Sequence, residues 1–134
     1  MQSIHPHLSV LYRALTEDEM HTPENALARL AVEYWKLLRA VERAVKVAPE
    51  NAKERIASQA RYAASRLDAV LSEQNMSVEG FDGMVFEVNL PASAINGDEF
   101  QEGDTPIVER TLEPAVISNM RVVLMGKVYL AKKG

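Results

Sequence analysis

The sequence predicts an α+β protein, with long N-terminal helices forming a hairpin or dimeric bundle followed by a small C-terminal β-rich lobe. Three observations carry this expectation. Apolar residues recur at alternating spacings of three and four from Leu27 to Ala48, as a helix with one buried stripe requires. A second helical set, Ala52, Ile56, Ala60, Ala63, Leu67 and Val70, begins after Pro49 in a shifted register. Beyond Gly80 and Gly83 the pattern changes to short runs of alternating apolar and polar residues separated by Pro, Gly and Asn. The chain therefore divides into a helical dimerisation region, 1–75, and a β-rich head lobe, 76–134.

Leu8, Leu11 and Leu15 suggest a short first helix, ended by the acidic run Glu17-Asp18-Glu19. A stronger start follows at Thr22, a capping residue, with Pro23 suited to the first turn and Glu24 favoured at the positive end of the helix dipole. This helix is expected over about 23–47, and Leu27, Leu30, Tyr34, Leu37 and Val41 form its seam. Ala31, Leu38 and Val45 widen the seam beyond a two-stranded coil, so it suits a bundle or a dimer interface with several neighbours. Pro49 lacks a backbone donor and clashes with the preceding turn, so a second helix is expected over about 49–74. Whether it folds back or only kinks there stays open.

Asn75 to Gly83 reads as a connection. Met84, Phe86, Val88 and Leu90 alternate with other residues, the period of a strand with one buried face, and Pro91 stops the run. The acidic stretch from Asn96 to Asp104 reads as a loop or helical turn anchored by Phe100. Strands are then expected over Ile107–Leu112, Ala115–Ser118, Val122–Met125 and Lys127–Ala131, making a small sheet or partial barrel.

Composition narrows the function. The 134 residues suit one folding unit, and 47% hydrophobic with 25% charged residues is ordinary for a globular chain. The absence of cysteine excludes disulfides, thiolate metal sites and cysteine nucleophiles. No run of about 18 apolar residues occurs, and Met1 to Pro6 lacks a signal-peptide layout, so the expectation is a cytoplasmic protein with no membrane partner. A net charge of −4 gives no general attraction for nucleic acid. The charge is uneven: residues 22–75 carry nine basic and seven acidic side chains, residues 76–134 five and nine.

Sites for chemistry are sparse. His5, His7 and His21 lie near the start on no common helical face, so no metal is expected. Asp98, Glu99, Glu102 and Asp104 offer hard oxygen donors, but Phe100 stands where a calcium loop needs a ligand. Neither a dinucleotide fingerprint, a phosphate-binding loop nor a serine-nucleophile elbow is present. Glu109 and Glu113 could do acid-base work only in a pocket. Arg55, Arg61 and Arg66 spread around their helix instead of stacking on one face, which disfavours a nucleic-acid stripe. The expectation is a protein that is not an enzyme and needs no cofactor.

The segment Leu71 to Val78, with a leucine turn before a valine-containing linker, looks like the end of a bundle helix in the GrpE family, the nucleotide exchange factors of DnaK-type chaperone ATPases. Gly83 and Phe86 stand where that family has a Gly shortly before a Phe, and Arg121 to Lys132 is similar to its closing strand pattern. The resemblance covers roughly residues 65–134. Leu124-Met125-Gly126 replaces the family's Arg-Pro-Ala, its His-Glu-Ala-Val strand is missing around Pro91 to Ile95, and Arg110 to Glu113 replaces its Gln-x-Gly-Tyr turn.

The resemblance implies a homodimer built by its helices, with a β lobe that wedges into the nucleotide cleft of a DnaK-type ATPase and weakens ADP binding. Arg121 matches the family's basic residue at the lobe edge and, with Met120, Arg110 and Glu109, is the expected partner contact. Leu27, Leu30, Tyr34, Leu37 and Val41 are the expected dimerisation residues. A second reading keeps the fold but makes the chain an adaptor that assembles another protein complex without exchange activity.

Overall fold

The computed structural model describes residues 22–132. The expected short helix around Leu8 to Leu15 and all three histidines lie outside them. Helix α1 spans Pro23–Val45 and helix α2 Glu50–Glu73. The expected start is realised, because the Thr22 hydroxyl accepts a hydrogen bond from the Asn25 N–H at 3.1 Å. At Pro49 the chain folds back, so the two helices form an antiparallel hairpin. Ala28, Ala31 and Val32 of α1 pack on Leu67 and Leu71 of α2, and the Tyr34 hydroxyl donates to the Ala63 carbonyl at 2.9 Å. Small residues at 28 and 31 allow this close approach.

Six strands follow: β1 Met76–Glu79, β2 Ala92–Ala94, β3 Ile107–Glu113, β4 Ala115–Ser118, β5 Arg121–Leu124 and β6 Gly126–Ala131. They form two three-stranded sheets in place of one, an antiparallel β1-β4-β5 and a mixed β2-β6-β3. In the mixed sheet β6 runs parallel to β2 and antiparallel to β3. The four strands expected between 107 and 131 are present with ends shifted by at most one residue.

The expected strand Met84–Leu90 is not one. Only a single bridge, Val85 to Ile107, connects it to the sheet, and Val88 is fully exposed. Phe86 and Leu90 alone of the alternating set pack against the second core, anchoring an irregular segment. That segment still covers the start of β3: the Phe86 N–H donates to the Pro106 carbonyl, and the Val108 N–H to Met84. Conversely, the stretch read as a connection contains β1, and β2 follows Pro91 directly. The acidic stretch holds one short 3-10 turn, Gly97–Glu99, and Phe100 packs against the second core as expected.

Two cores meet at β4. Val116 joins the helix residues and Met76, while its neighbours Ala115 and Ile117 join the core of Phe81, Ala92, Val108, Val128 and Leu130. Alternation along one strand thus serves two opposite faces. At the start of β6 the packing is so close that a Cβ on Gly126 would stand 3.0 Å from the Glu113 carbonyl oxygen, 3.0 Å from the Phe81 ring and 3.1 Å from the Ala115 nitrogen. Buried Asn96 continues the β2 edge with its side chain: its amide accepts from the Leu130 N–H at 2.9 Å and donates to the Leu130 carbonyl at 3.0 Å.

Leu71 is wholly buried where α2 meets β1 and β4. Leu71→Ala is expected to lower the unfolding free energy by about 3 kcal/mol, measured by urea denaturation. Leu37→Ala, at a position 65% exposed, is expected to change it by less than about 1 kcal/mol.

Candidate functional site

Three surfaces arise from this arrangement. The first is the tip of the β4–β5 hairpin. Ser118 pairs with Arg121, leaving Asn119 and Met120 as a two-residue turn with φ of 50° and 67°. Both central residues are left-handed, as in the hairpin turn that matches strand twist, which favours Asn then Gly. Methionine in the second place carries a steric cost of about 1–2 kcal/mol, yet its side chain is 97% exposed. None of the described residues covers it.

The tip is held from both sides. The Asn119 N–H donates to the Asn75 carbonyl at 3.0 Å, and Asn75 itself takes the left-handed conformation that ends α2. The Ser118 hydroxyl donates to the Glu24 carboxylate in the first turn of α1. Arg121, the first residue of β5, is exposed beside Met120.

Glu109 and Arg110 sit elsewhere. They belong to β3 in the other sheet and line a cleft against the C-terminal half of α1, near Arg43 and Lys46. The hairpin tip contacts Glu24 and the cleft contacts Arg43, so the two sites lie roughly 28 Å apart along the helix at about 1.5 Å per residue. The structure therefore brings Met120 and Arg121 together, and Glu109 and Arg110 together, but not the two pairs.

Along that cleft two ion pairs join α1 to the lobe. Lys36 donates to Glu113 at 3.3 Å and also lies 3.7 Å from Glu33. The hydrogen bond to Glu113, and then the charge of Glu33, hold the Lys36 ammonium above its ordinary value. A raised lysine favours the folded state throughout neutral pH, and that contribution is lost as the pH climbs through the raised value. Arg39 pairs with Asp82 at 3.6 Å while stacked 4.4 Å above the Trp35 ring. Asp82 in turn accepts from the Thr111 N–H at 2.7 Å, and the Thr111 hydroxyl from the Phe81 N–H at 2.8 Å, which closes part of the β3 edge. The basic stripe opposite β3 was not singled out from sequence, although its three-and-four spacing along α1 is visible there.

The third surface is the outer face of the helical hairpin. The expected dimerisation seam splits into two rows. Leu27 packs into the first core, Tyr34 is bonded to α2 and Val41 is half-buried, whereas Leu30 and Leu37 are 64% and 65% exposed. Leu37, Leu38 and Val41 face Ile56 and Ala60 across an open apolar groove of about 450 Å³.

Among the described residues, no three His, Cys, Asp or Glu side chains converge as a metal would need, and no helix is long and apolar enough to cross a membrane. No protein-family model matches the chain, and no curated protein does.

The strain at Met120 has a measurable consequence. Met120→Gly is expected to stabilise the fold by about 0.5–1 kcal/mol, the relief of the left-handed cost less the greater backbone entropy of glycine in the unfolded chain. Met120→Asn, which tolerates this conformation without that entropy loss, is expected to raise the melting temperature as well. Thermal unfolding followed by circular dichroism reads both.

Proposed function

We propose that this chain is a protein-binding factor of the GrpE type: a cytoplasmic homodimer that promotes ADP release from a DnaK-type chaperone ATPase through its β lobe. The observation that carries the reading is the β4–β5 tip, where an exposed methionine occupies a strained turn position beside Arg121. Backbone strain of this kind persists where surrounding structure enforces it, and it clusters at ligand clamps and switch regions. An exposed apolar side chain next to a guanidinium is also the composition found at the centres of protein interfaces. The order of two helices followed by a six-stranded lobe agrees with the resemblance of the second half of the chain to that family.

Exchange of this kind needs no catalytic side chain. The factor binds the nucleotide-free, open partner more tightly than the closed one, and the population shift is limited by that difference. Dimerisation is assigned to the outer hairpin face, where Leu30 and Leu37 stand on one row beside the apolar groove. The adaptor reading uses the same surfaces and differs only in the partner.

Release of a fluorescent ADP analogue from the same organism's DnaK-type ATPase tests the reading. Wild-type protein is expected to accelerate release, and Arg121→Glu to remove about 90% or more of the acceleration while leaving the fold intact. An active ATPase that responds to its own exchange factor but not to this chain leaves the adaptor reading in its place. For the dimer, a Leu30→Asp, Leu37→Asp double variant is expected to elute as a monomer in light-scattering chromatography with unchanged helicity, because both side chains lie outside the core and a charge at an apolar interface is costly. A wild-type chain that is already monomeric at micromolar concentration removes the dimer.

A further inference from the structure

The cleft between α1 and the mixed sheet is chemically unlike the rest of the surface. Lys36, Arg39, Arg43 and Lys46 recur at spacings of three and four and so share one face of α1. Arg110 of β3 lies opposite and lines both of two adjoining compartments of about 340 and 480 Å³. Five of the chain's 15 lysines and arginines thus face one concavity on a protein of net charge −4. Lys36 and Arg39 are neutralised in place by Glu113 and Asp82. Arg43, Lys46 and Arg110 form no ion pair among the described residues.

We propose that this cleft binds an acidic, extended peptide segment of a partner protein. Arg43 and Arg110 stand unpaired in the first compartment, which no acid lines, and Lys46 joins them in the second, where Glu42 and Glu109 also stand, so carboxylates are favoured most beside Arg43 and Arg110. The compartments follow one another along α1, and the distance from Trp35 to Lys46 is roughly 16 Å at about 1.5 Å per residue, the reach of about five residues of extended chain. Trp35 and Leu112 in one compartment and Tyr129 in the other offer apolar contact to side chains between the acids. A nucleic-acid backbone fits poorly, because Glu42 and Glu109 in the second compartment oppose an unbroken row of phosphates, whereas the side chains of an extended peptide alternate in direction and can set carboxylates beside Arg43 and Arg110 and away from those acids.

This inference rests on the cleft alone and not on the exchange-factor reading. Trp35 is the single tryptophan of the chain, so its emission reports the site directly. The intact protein is titrated with the capped peptide Asp-Glu-Leu-Asp-Glu, with its amide counterpart Asn-Gln-Leu-Asn-Gln, and with a six-nucleotide uridine oligomer. The expected result is a saturable change in Trp35 emission with the acidic peptide only, weakened about threefold or more between 50 and 200 mM salt. An Arg43→Gln, Arg110→Gln double variant, whose exposed side chains leave the core untouched, is expected to bind it about tenfold or more weakly. Arg121→Glu, at the other end of α1, is expected to bind as wild type does. Equal binding of the amide peptide, undiminished binding by the double variant, tighter binding of the oligonucleotide, or no emission change at millimolar peptide would each overturn the proposal.

Discussion

The burial of β4 on both faces is the constraint from which the rest of the architecture follows. Pro114, Ala115, Val116 and Ser118 are all buried, although this strand has only four residues and lies in a chain of modest size. One face supplies Val116 to the helical core and the other supplies Ala115 and Ile117 to the β core. A one-residue slip would exchange these faces and place Ser118 against apolar neighbours. Pro114, between β3 and β4, and the two-residue turn at Asn119-Met120 fix the strand at either end. The clearance at Gly126 belongs to the same constraint, since β6 begins directly beside Glu113 and Ala115, where β3 passes into β4.

How far the sequence discloses this depends on where the information resides. Helix α1 was legible because Thr22, Pro23, Glu24 and the apolar spacing agree with one another, and β3 to β6 because they are runs rich in β-branched and apolar residues set off by Pro106, Pro114, Asn119 and Gly126. Met84 to Leu90 alternates as a strand would, yet alternation says only that a strand is possible. Pairing decides, and the segment finds a single bridging partner because Asp82 and Thr111 already close part of the β3 edge. The four residues of β1 and the three of β2 are too few to carry a period, and they are strands only because β4 and β6, far along the chain, pair with them. The seam of α1 was visible as a stripe, but a stripe does not say which neighbour covers each row. Leu27 and Tyr34 turned inward to α2 while Leu30 and Leu37 stayed outside. Glu109 and Arg110 lie in a different sheet from Arg121 for the same reason, since sequence proximity within a small lobe does not tell which of two sheets a residue belongs to.

Helix α1 emerges as the organising element for function. It offers one flank to α2, a second to the cleft under β3, and an exposed leucine row to the outside. Each flank uses a different interaction: apolar packing at Ala28 and Ala31, charge pairing at Lys36 and Arg39, and unpartnered apolar surface at Leu30 and Leu37. Exposed ion pairs contribute little stability individually. Their value here is angular, because a helix held only by small apolar residues can rotate about its axis, whereas pairs with Glu113 and Asp82 fix which residues face the lobe.

The hairpin tip shows how a small fold can present an exposed apolar side chain on an ordered backbone. A methionine on an ordinary loop would sample many backbone states, and a partner would have to order them on binding. Met120 has little of that freedom in its backbone. The turn is only two residues long, Asn119 is bonded to the end of α2, and Ser118 is bonded to the start of α1. The strain is therefore sustained by contacts that also fix the tip relative to both helices. On the proposed exchange-factor reading, a partner would meet at Met120 and Arg121 an element bonded to both helices, and that backbone order would favour discrimination between partner states.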